Sequence, residues 1–114
     1  MPTALLEIDR ETLRRRLEER REFVLVDALA PISYAARHLP GAINIPPERV
    51  DELAGSRIHT LDTEVVVYCA DADCEASGEV AERLIELGYR NVRHYSGGKR
   101  DWADAGLPFE GGRV

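Results

Sequence analysis

The 114-residue sequence has few cysteines, few aromatic side chains and no excess of positive charge. Its two cysteines could form at most one disulfide, which excludes a small scaffold held together by several bridges. Cys69 and Cys74 lie so close along the chain that a bond between them would close only a small loop. We therefore expect reactive thiols in a reducing compartment, and we predict a cytoplasmic protein.

The charge balance and the hydrophobic runs exclude two classes of partner. A formal net charge of −6 disfavours nucleic acid, and the arginine-rich segment 14–21 is interleaved with glutamates, as on a solvated helix face. The longest apolar run, Val65 to Ala70, is far shorter than a membrane span, and we expect no signal peptide in the first residues. We predict no nucleic-acid partner, no membrane partner, and a monomer or weak dimer.

The length and the hydrophobic pattern predict one α/β domain over residues 1–114. Short β-branched runs alternate with segments of helical periodicity, which favours parallel strands joined by right-handed crossovers. The expected fold is a small, mainly parallel five-stranded sheet with helices on both faces and 65–68 as its central strand. The pattern places strands at 23–27, 42–45, 65–68 and 92–95, and helices at 9–22, 31–37, 48–54, 76–87 and 99–105.

Cys69 follows the most apolar predicted strand and precedes the most regular predicted helix. Ligands of parallel α/β sheets bind beyond the carboxyl ends of the strands, which is where this cysteine falls. Backbone N–H groups of the loop and of the first helical turn converge on such a point and stabilise a thiolate. Cys69 is therefore a candidate nucleophile.

The order of several motifs resembles the rhodanese family of sulfurtransferases in its single-domain form. The resemblance extends over residues 23–109. Its motifs are Val24-Leu25-Val26-Asp27, Tyr34, His38-Leu39-Pro40-Gly41-Ala42-Ile43-Asn44-Ile45-Pro46, Val66-Val67-Tyr68-Cys69, Leu87-Gly88-Tyr89, and Gly97-Gly98 with Trp102.

The resemblance implies a catalytic role for Cys69. In the implied cycle its thiolate takes a sulfane sulfur from a donor, becomes a persulfide and passes that sulfur to a nucleophilic acceptor. The partners are a small-molecule or protein persulfide donor and a thiol acceptor, and neither a metal nor an organic cofactor is required. The implied anion-binding loop comprises Ala70, Asp71, Ala72, Asp73, Cys74 and Glu75.

The acidic composition of this loop departs from the family pattern, in which basic or small residues are common. A carboxylate about 7 Å from a thiolate costs about 0.6 kcal/mol at water-like screening and about 2.4 kcal/mol at an effective dielectric of 20. A helix terminus contributes about 0.3 to 2 kcal/mol in the opposite direction, so the protonation state of Cys69 stays open. Asp71 and Asp73 should repel a dianion, and we predict that thiosulfate is a poor donor.

Cys74 leaves two interpretations open. It could act as a resolving thiol that forms a disulfide with Cys69, or its side chain could pack as a small apolar group in the first helical turn. The first interpretation leads to an alternative function, a catalytically weak redox or regulatory binding module that uses Cys69 and Cys74. A phosphatase is disfavoured, because the loop has no arginine to bind phosphate.

Other candidate residues have structural interpretations. The family pairs the aspartate at Asp27 with an arginine two positions later, but Leu29 occupies that position here, so we expect Asp27 to accept backbone N–H bonds in the following turn. We expect Arg37 to be solvated and His38 to pack at its turn. Ser77 could bind an anion or cap a helix. His94 has no recognisable partner pattern, and we predict no metal site.

Overall fold

The computed structural model describes residues 5–19 and 22–112, and it places five strands in one sheet. The strand order is β1-β5-β4-β2-β3, and all four pairings are parallel, which confirms the predicted α/β class. β4 is the central strand, as expected from its apolar sequence. The strands are β1 Leu6–Glu7, β2 Val24–Asp27, β3 Ile43–Asn44, β4 Val65–Tyr68 and β5 Val92–Tyr95.

Helices cover both faces of the sheet and enclose two apolar clusters. One cluster joins Val65 and Val67 to Val80 and Leu84, and the other joins Val66 to Trp102. Alternate residues of β4 thus face opposite layers, as the period of a strand requires. The helices are α1 Arg10–Glu18, α2 Pro31–Ala36, α3 Val50–Arg57, α4 Ala76–Glu86 and α5 Gly98–Asp104, and a 3-10 turn at Pro47–Arg49 precedes α3.

Three helix ends follow from local sequence. The Asp9 carboxylate accepts a 2.8 Å hydrogen bond from the Thr12 N–H and caps α1. Pro31 occupies the first turn of α2, where a backbone N–H has no partner within the helix, so proline loses no hydrogen bond there. Gly88 follows α4 with a φ of +105°, which favours glycine.

Two helix ends and one strand differ most from the prediction. α3 continues through Gly55 to Arg57, because Val50 and Ala54 pack in the core and the chain at Gly55 has no left-handed turn. α1 ends at Glu18, and part of its predicted extension falls on residues 20 and 21, outside the described residues. The sequence pattern does not indicate β1, because two exposed residues carry no periodic signal. Among the described residues, no helix combines the length and hydropathy that crossing a bilayer requires.

Candidate active site

Cys69 lies directly beyond the carboxyl end of β4, at the start of the loop that leads to α4. The alternation of β4 directs Val65, Val67 and Cys69 to the same face of the sheet, which α4 covers. The residue is 1% exposed. The predicted position of the candidate nucleophile is therefore confirmed, and its sulfur is shielded from solvent.

Burial, and to a smaller extent the neighbouring Cys74, raise the pKa of the Cys69 thiol to about 11. The hydroxyl and backbone N–H of Ser77 act in the opposite direction and lower this pKa. The Cys69 Sγ lies 3.0 Å from the Ser77 Oγ and donates to the Cys74 carbonyl oxygen over 3.4 Å. This conformation favours the thiol rather than the thiolate.

The acidic loop uses two of its backbone N–H groups internally. The Asp71 carboxylate accepts from the Asp73 N–H over 3.0 Å, and the Asp71 carbonyl accepts from the Cys74 N–H over 3.2 Å. Such turns are typical of aspartate. The expected amide cradle is therefore only partly present, and the backbone donor that lowers the pKa of Cys69 is the Ser77 N–H in the first turn of α4.

The implied loop residues differ in exposure. Ala72, Asp73 and Glu75 are exposed, whereas Ala70, Asp71 and Cys74 are half-buried. The side chain of Cys74 packs against the cluster that contains Val80, which agrees with the packing interpretation. Its proposed role as a resolving thiol stays a prediction.

Asp27 forms a buried polar centre beneath the site. Its carboxylate accepts from the Leu29 N–H and from the Tyr68 hydroxyl, both over 2.9 Å, which confirms the predicted turn contact. The Lys99 Nζ lies 3.6 Å from the same carboxylate and donates to the Ser33 carbonyl oxygen over 2.9 Å. Lys99 thus supplies the positive charge for Asp27 that the family's arginine, replaced here by Leu29, would supply. The sequence does not indicate this pairing, because Asp27 and Lys99 are far apart along the chain.

The turn at Gly97-Gly98 holds the first residues of the loop. The Lys99 N–H donates to the Cys69 carbonyl oxygen and the Arg100 N–H to the Ala70 carbonyl oxygen, each over 2.9 Å. Gly98 has a φ of +63°, and a Cβ there would lie 2.4 Å from the Cys69 carbonyl oxygen. Only glycine permits this close approach.

An open cleft runs beside Ala70 and collects basic residues. Arg37, Lys99 and Arg100 line it together with Asp104. Arg37 is exposed, as predicted, and its guanidinium also lies over the Phe109 ring, 4.4 Å from the ring centre. Arg37 therefore lies in the same cleft as Ala70 of the loop. The expectation of a solvated side chain did not indicate this proximity.

His94 has two polar partners. Its Nε2 lies 2.7 Å from the Ser77 Oγ, and its Nδ1 lies 3.1 Å from a Glu7 carboxylate oxygen. The three residues come from β5, α4 and β1, so no local spacing in the sequence indicates the contact. His38, in contrast, stacks on Tyr34 and donates to its carbonyl oxygen, which is the predicted packing role.

Comparison with known proteins matches residues 9–105 to the family model "Rhodanese-like domain". A sulfurtransferase of Allochromatium vinosum is 33% identical over 107 residues, covering 90% of this chain and 92% of that protein. An HTH-type transcriptional regulator of Mycobacterium tuberculosis is 39% identical over 106 residues, covering 90% of this chain. This chain spans 43% of that regulator's length.

Solved structures share the fold. A Bacillus halodurans protein superimposes with a TM-score of 0.86 at 24% identity, covering 93% of this chain and 77% of that one. The rhodanese-like domain of an Anabaena protein gives a TM-score of 0.78 at 27% identity, covering 97% and 80% of the two chains. The family match, the relatives and the position of Cys69 agree, and the chain belongs to the rhodanese-like domain family.

Proposed function

We propose that this protein is a sulfurtransferase that carries a sulfane sulfur as a persulfide on Cys69. The Cys69 thiolate attacks the outer sulfur of a donor persulfide, a new S–S bond forms, and the donor leaves as its thiolate. A nucleophilic acceptor, such as a thiolate, then attacks the outer sulfur of the Cys69 persulfide. The S–S bond to Cys69 breaks and the enzyme thiolate is restored, so the cycle requires no external oxidant or reductant.

The observation that carries this proposal is the position of Cys69 between the end of β4 and the first turn of α4. The Ser77 N–H and hydroxyl stabilise negative charge on this sulfur, which the thiolate and the persulfide anion both need. Sulfurtransferase relatives support sulfur transfer in general terms.

We further propose that thiosulfate is a poorer donor than a low-molecular-weight or protein persulfide. Asp71 and Asp73 place two carboxylates in the loop that follows Cys69. The cleft beside Ala70 adds Arg37 and Arg100, but Asp104 lies in the same cleft, and Lys99 is paired with a buried carboxylate. The three carboxylates outnumber the two arginines, so a dianion gains no strong attraction near the nucleophile.

Replacing the nucleophile tests the proposal. We expect Cys69→Ser to reduce sulfur transfer to cyanide or to a thiol acceptor to the rate measured without enzyme, because a serine hydroxyl does not form a stable persulfide. The rate should be measured with thiosulfate and with glutathione persulfide, and a thermal melt should show that the variant is folded. Retention of activity by the variant would contradict the assignment.

A second candidate function rests on the raised pKa of Cys69 and its proximity to Cys74. A protonated thiol is a weak nucleophile, which favours a catalytically weak redox or regulatory binding module. In that case wild type would give no persulfide with any donor, and mild oxidation would yield an internal disulfide between Cys69 and Cys74. Mass spectrometry distinguishes these products.

A further inference from the structure

A continuous chain of polar contacts leads from the buried sulfur to the protein surface. The Cys69 Sγ lies 3.0 Å from the Ser77 Oγ, which lies 2.7 Å from the His94 Nε2. The His94 Nδ1 lies 3.1 Å from a Glu7 carboxylate oxygen. Cys69 and Ser77 are each 1% exposed, the His94 side chain is 18% exposed and that of Glu7 is 61% exposed.

The partners fix the direction of the hydrogen bonds. An ionised carboxylate can only accept, so the His94 Nδ1 carries a proton that it donates to Glu7. The Nε2 lone pair is then free to accept from the Ser77 hydroxyl. With its own proton directed to His94, the Ser77 oxygen can accept the proton of the Cys69 thiol. That single proton rotates about the Cβ–Sγ bond from the Cys74 carbonyl oxygen, 3.4 Å from the sulfur, to the nearer Ser77 Oγ at 3.0 Å.

We propose that Ser77, His94 and Glu7 form a proton relay that deprotonates Cys69 for sulfur transfer. The Cys69 S–H bond breaks as a new O–H bond forms at Ser77, and the original Ser77 proton passes to the His94 Nε2. The products are a thiolate, a neutral Ser77 whose hydroxyl now donates to that thiolate, and an imidazolium opposite Glu7. The proton returns along the same path when the cycle ends, so atoms and charge balance.

The relay deepens the proposed function and rests on it, because sulfur transfer needs a thiolate at a site where burial favours the thiol. Ser77 contacts the reacting sulfur, whereas His94 and Glu7 act on it only through Ser77. Among the described contacts, the titratable groups along the path are Cys74 in the loop, His94 on β5 and Glu7 on β1. From α5, the backbone N–H of Lys99 donates to the Cys69 carbonyl oxygen.

The test measures thiolate formation without sulfur transfer. In a Cys74→Ala background, where Cys69 is the only cysteine, the rate of alkylation by iodoacetamide is followed as a function of pH. We expect Ser77→Ala and His94→Gln to slow alkylation near neutral pH by roughly 100-fold, the lower range of general base catalysis. The reference protein and His94→Gln should differ in the pH dependence of alkylation, because only the reference protein has the His94 Nε2 as a proton acceptor for Ser77.

Two further variants separate the relay from a structural effect. Glu7→Gln changes an exposed side chain, so the fold should be retained, and we expect about a 2- to 5-fold slower reaction because the imidazolium loses its counter-charge. His59→Gln, an exposed histidine outside the path, should not alter the rate. Unchanged pH profiles in both His94→Gln and Ser77→Ala would overturn the relay.

The proposed function has a separate outcome in the same proteins. If alkylation depends on His94 but no sulfane sulfur is found on Cys69 after incubation with glutathione persulfide, the relay holds and sulfur transfer is wrong. If sulfur is transferred at equal rates in the reference protein, Ser77→Ala and His94→Gln, sulfur transfer holds and the relay is wrong.

Discussion

At the scale of the residue, opposing effects decide the reactivity of Cys69. Burial raises the pKa of its thiol, while the hydroxyl and N–H of Ser77 lower it. The carboxylates of Asp71 and Asp73 lie in a half-buried and an exposed position, where water screens their charge. The loop charge should therefore act on the approach of an anionic donor more than on the thiol itself.

Neutralising the two loop carboxylates tests this electrostatic effect. We expect Asp71→Asn/Asp73→Asn to raise the turnover of thiosulfate by roughly 10-fold, because two repulsions of a dianion are removed. Asparagine at position 71 retains an oxygen that can accept from the Asp73 N–H, so the turn is preserved. Steady-state rates at low and high salt measure the gain, which salt should diminish.

A matched variant controls for net charge. Glu82→Gln removes an exposed carboxylate of α4 outside the loop and should leave thiosulfate turnover unchanged. Equal thiosulfate rates in the double variant and wild type would refute the proposed role of Asp71 and Asp73.

Sequence reasoning at this scale located Cys69 and the turn contact of Asp27, because both depend on neighbours along the chain. It missed Lys99 beside Asp27 and His94 beside Ser77. Each of these contacts joins residues on different elements, and the chain must fold before they meet. The pKa direction of Cys69 was equally inaccessible, since it depends on burial.

At the scale of the element, the turn before α5 determines the position of the active-site loop. The N–H groups of Lys99 and Arg100 bind the Cys69 and Ala70 carbonyls, and Gly98 makes room for them. The pair Gly97-Gly98 in the sequence favours a turn. It could not indicate that the turn contacts the nucleophile, because that contact arises from β4 and β5 being neighbours in the sheet.

A methyl group at Gly98 should disturb this contact. We expect Gly98→Ala to lower the free energy of unfolding by about 1–3 kcal/mol, since φ is +63° and the Cβ would meet the Cys69 carbonyl oxygen. Sulfur transfer should fall as Cys69 is displaced. Denaturant unfolding and steady-state kinetics measure the two effects.

Gly55→Ala provides the matched comparison for this helix-associated glycine. Gly55 lies in α3, and a Cβ there would have no atom within 4 Å. Alanine should therefore raise the free energy of unfolding by up to about 1 kcal/mol. If Gly98→Ala behaved like Gly55→Ala in stability and activity, the turn would not have the role assigned to it.

At the scale of the whole molecule, several buried acids are held in their neutral forms. Burial raises the pKa of Tyr68 and Tyr95 above the ordinary value of 10.0, and that of Cys69 above 9.0. The folded state then retains protons that the unfolded state releases. Burial also raises the pKa of Tyr34, whereas it lowers that of Lys99, which acts in the opposite direction as one group against four.

Stability should therefore decline in alkaline solution. We expect the free energy of unfolding to decrease as pH rises above about 9, by at most about 1.4 kcal/mol per pH unit for each acid. Denaturant titrations at increasing pH measure this slope. Tyr68→Phe should be less stable at neutral pH, because it loses the bond to Asp27, and should show a shallower alkaline decline. A stability independent of alkaline pH would contradict the assignment of these buried acids.

The central claim is that Cys69 carries the transferred sulfur, and the mass of the intact protein tests it most directly. Wild type is incubated with glutathione persulfide, freed of excess donor and examined by mass spectrometry with fragmentation, in parallel with Cys69→Ser. We predict that wild type gains one sulfur atom located on Cys69 and that Cys69→Ser gains none, although it retains Cys74. Sulfur on Cys74 in the variant, or only a Cys69–Cys74 disulfide in wild type, would contradict the account.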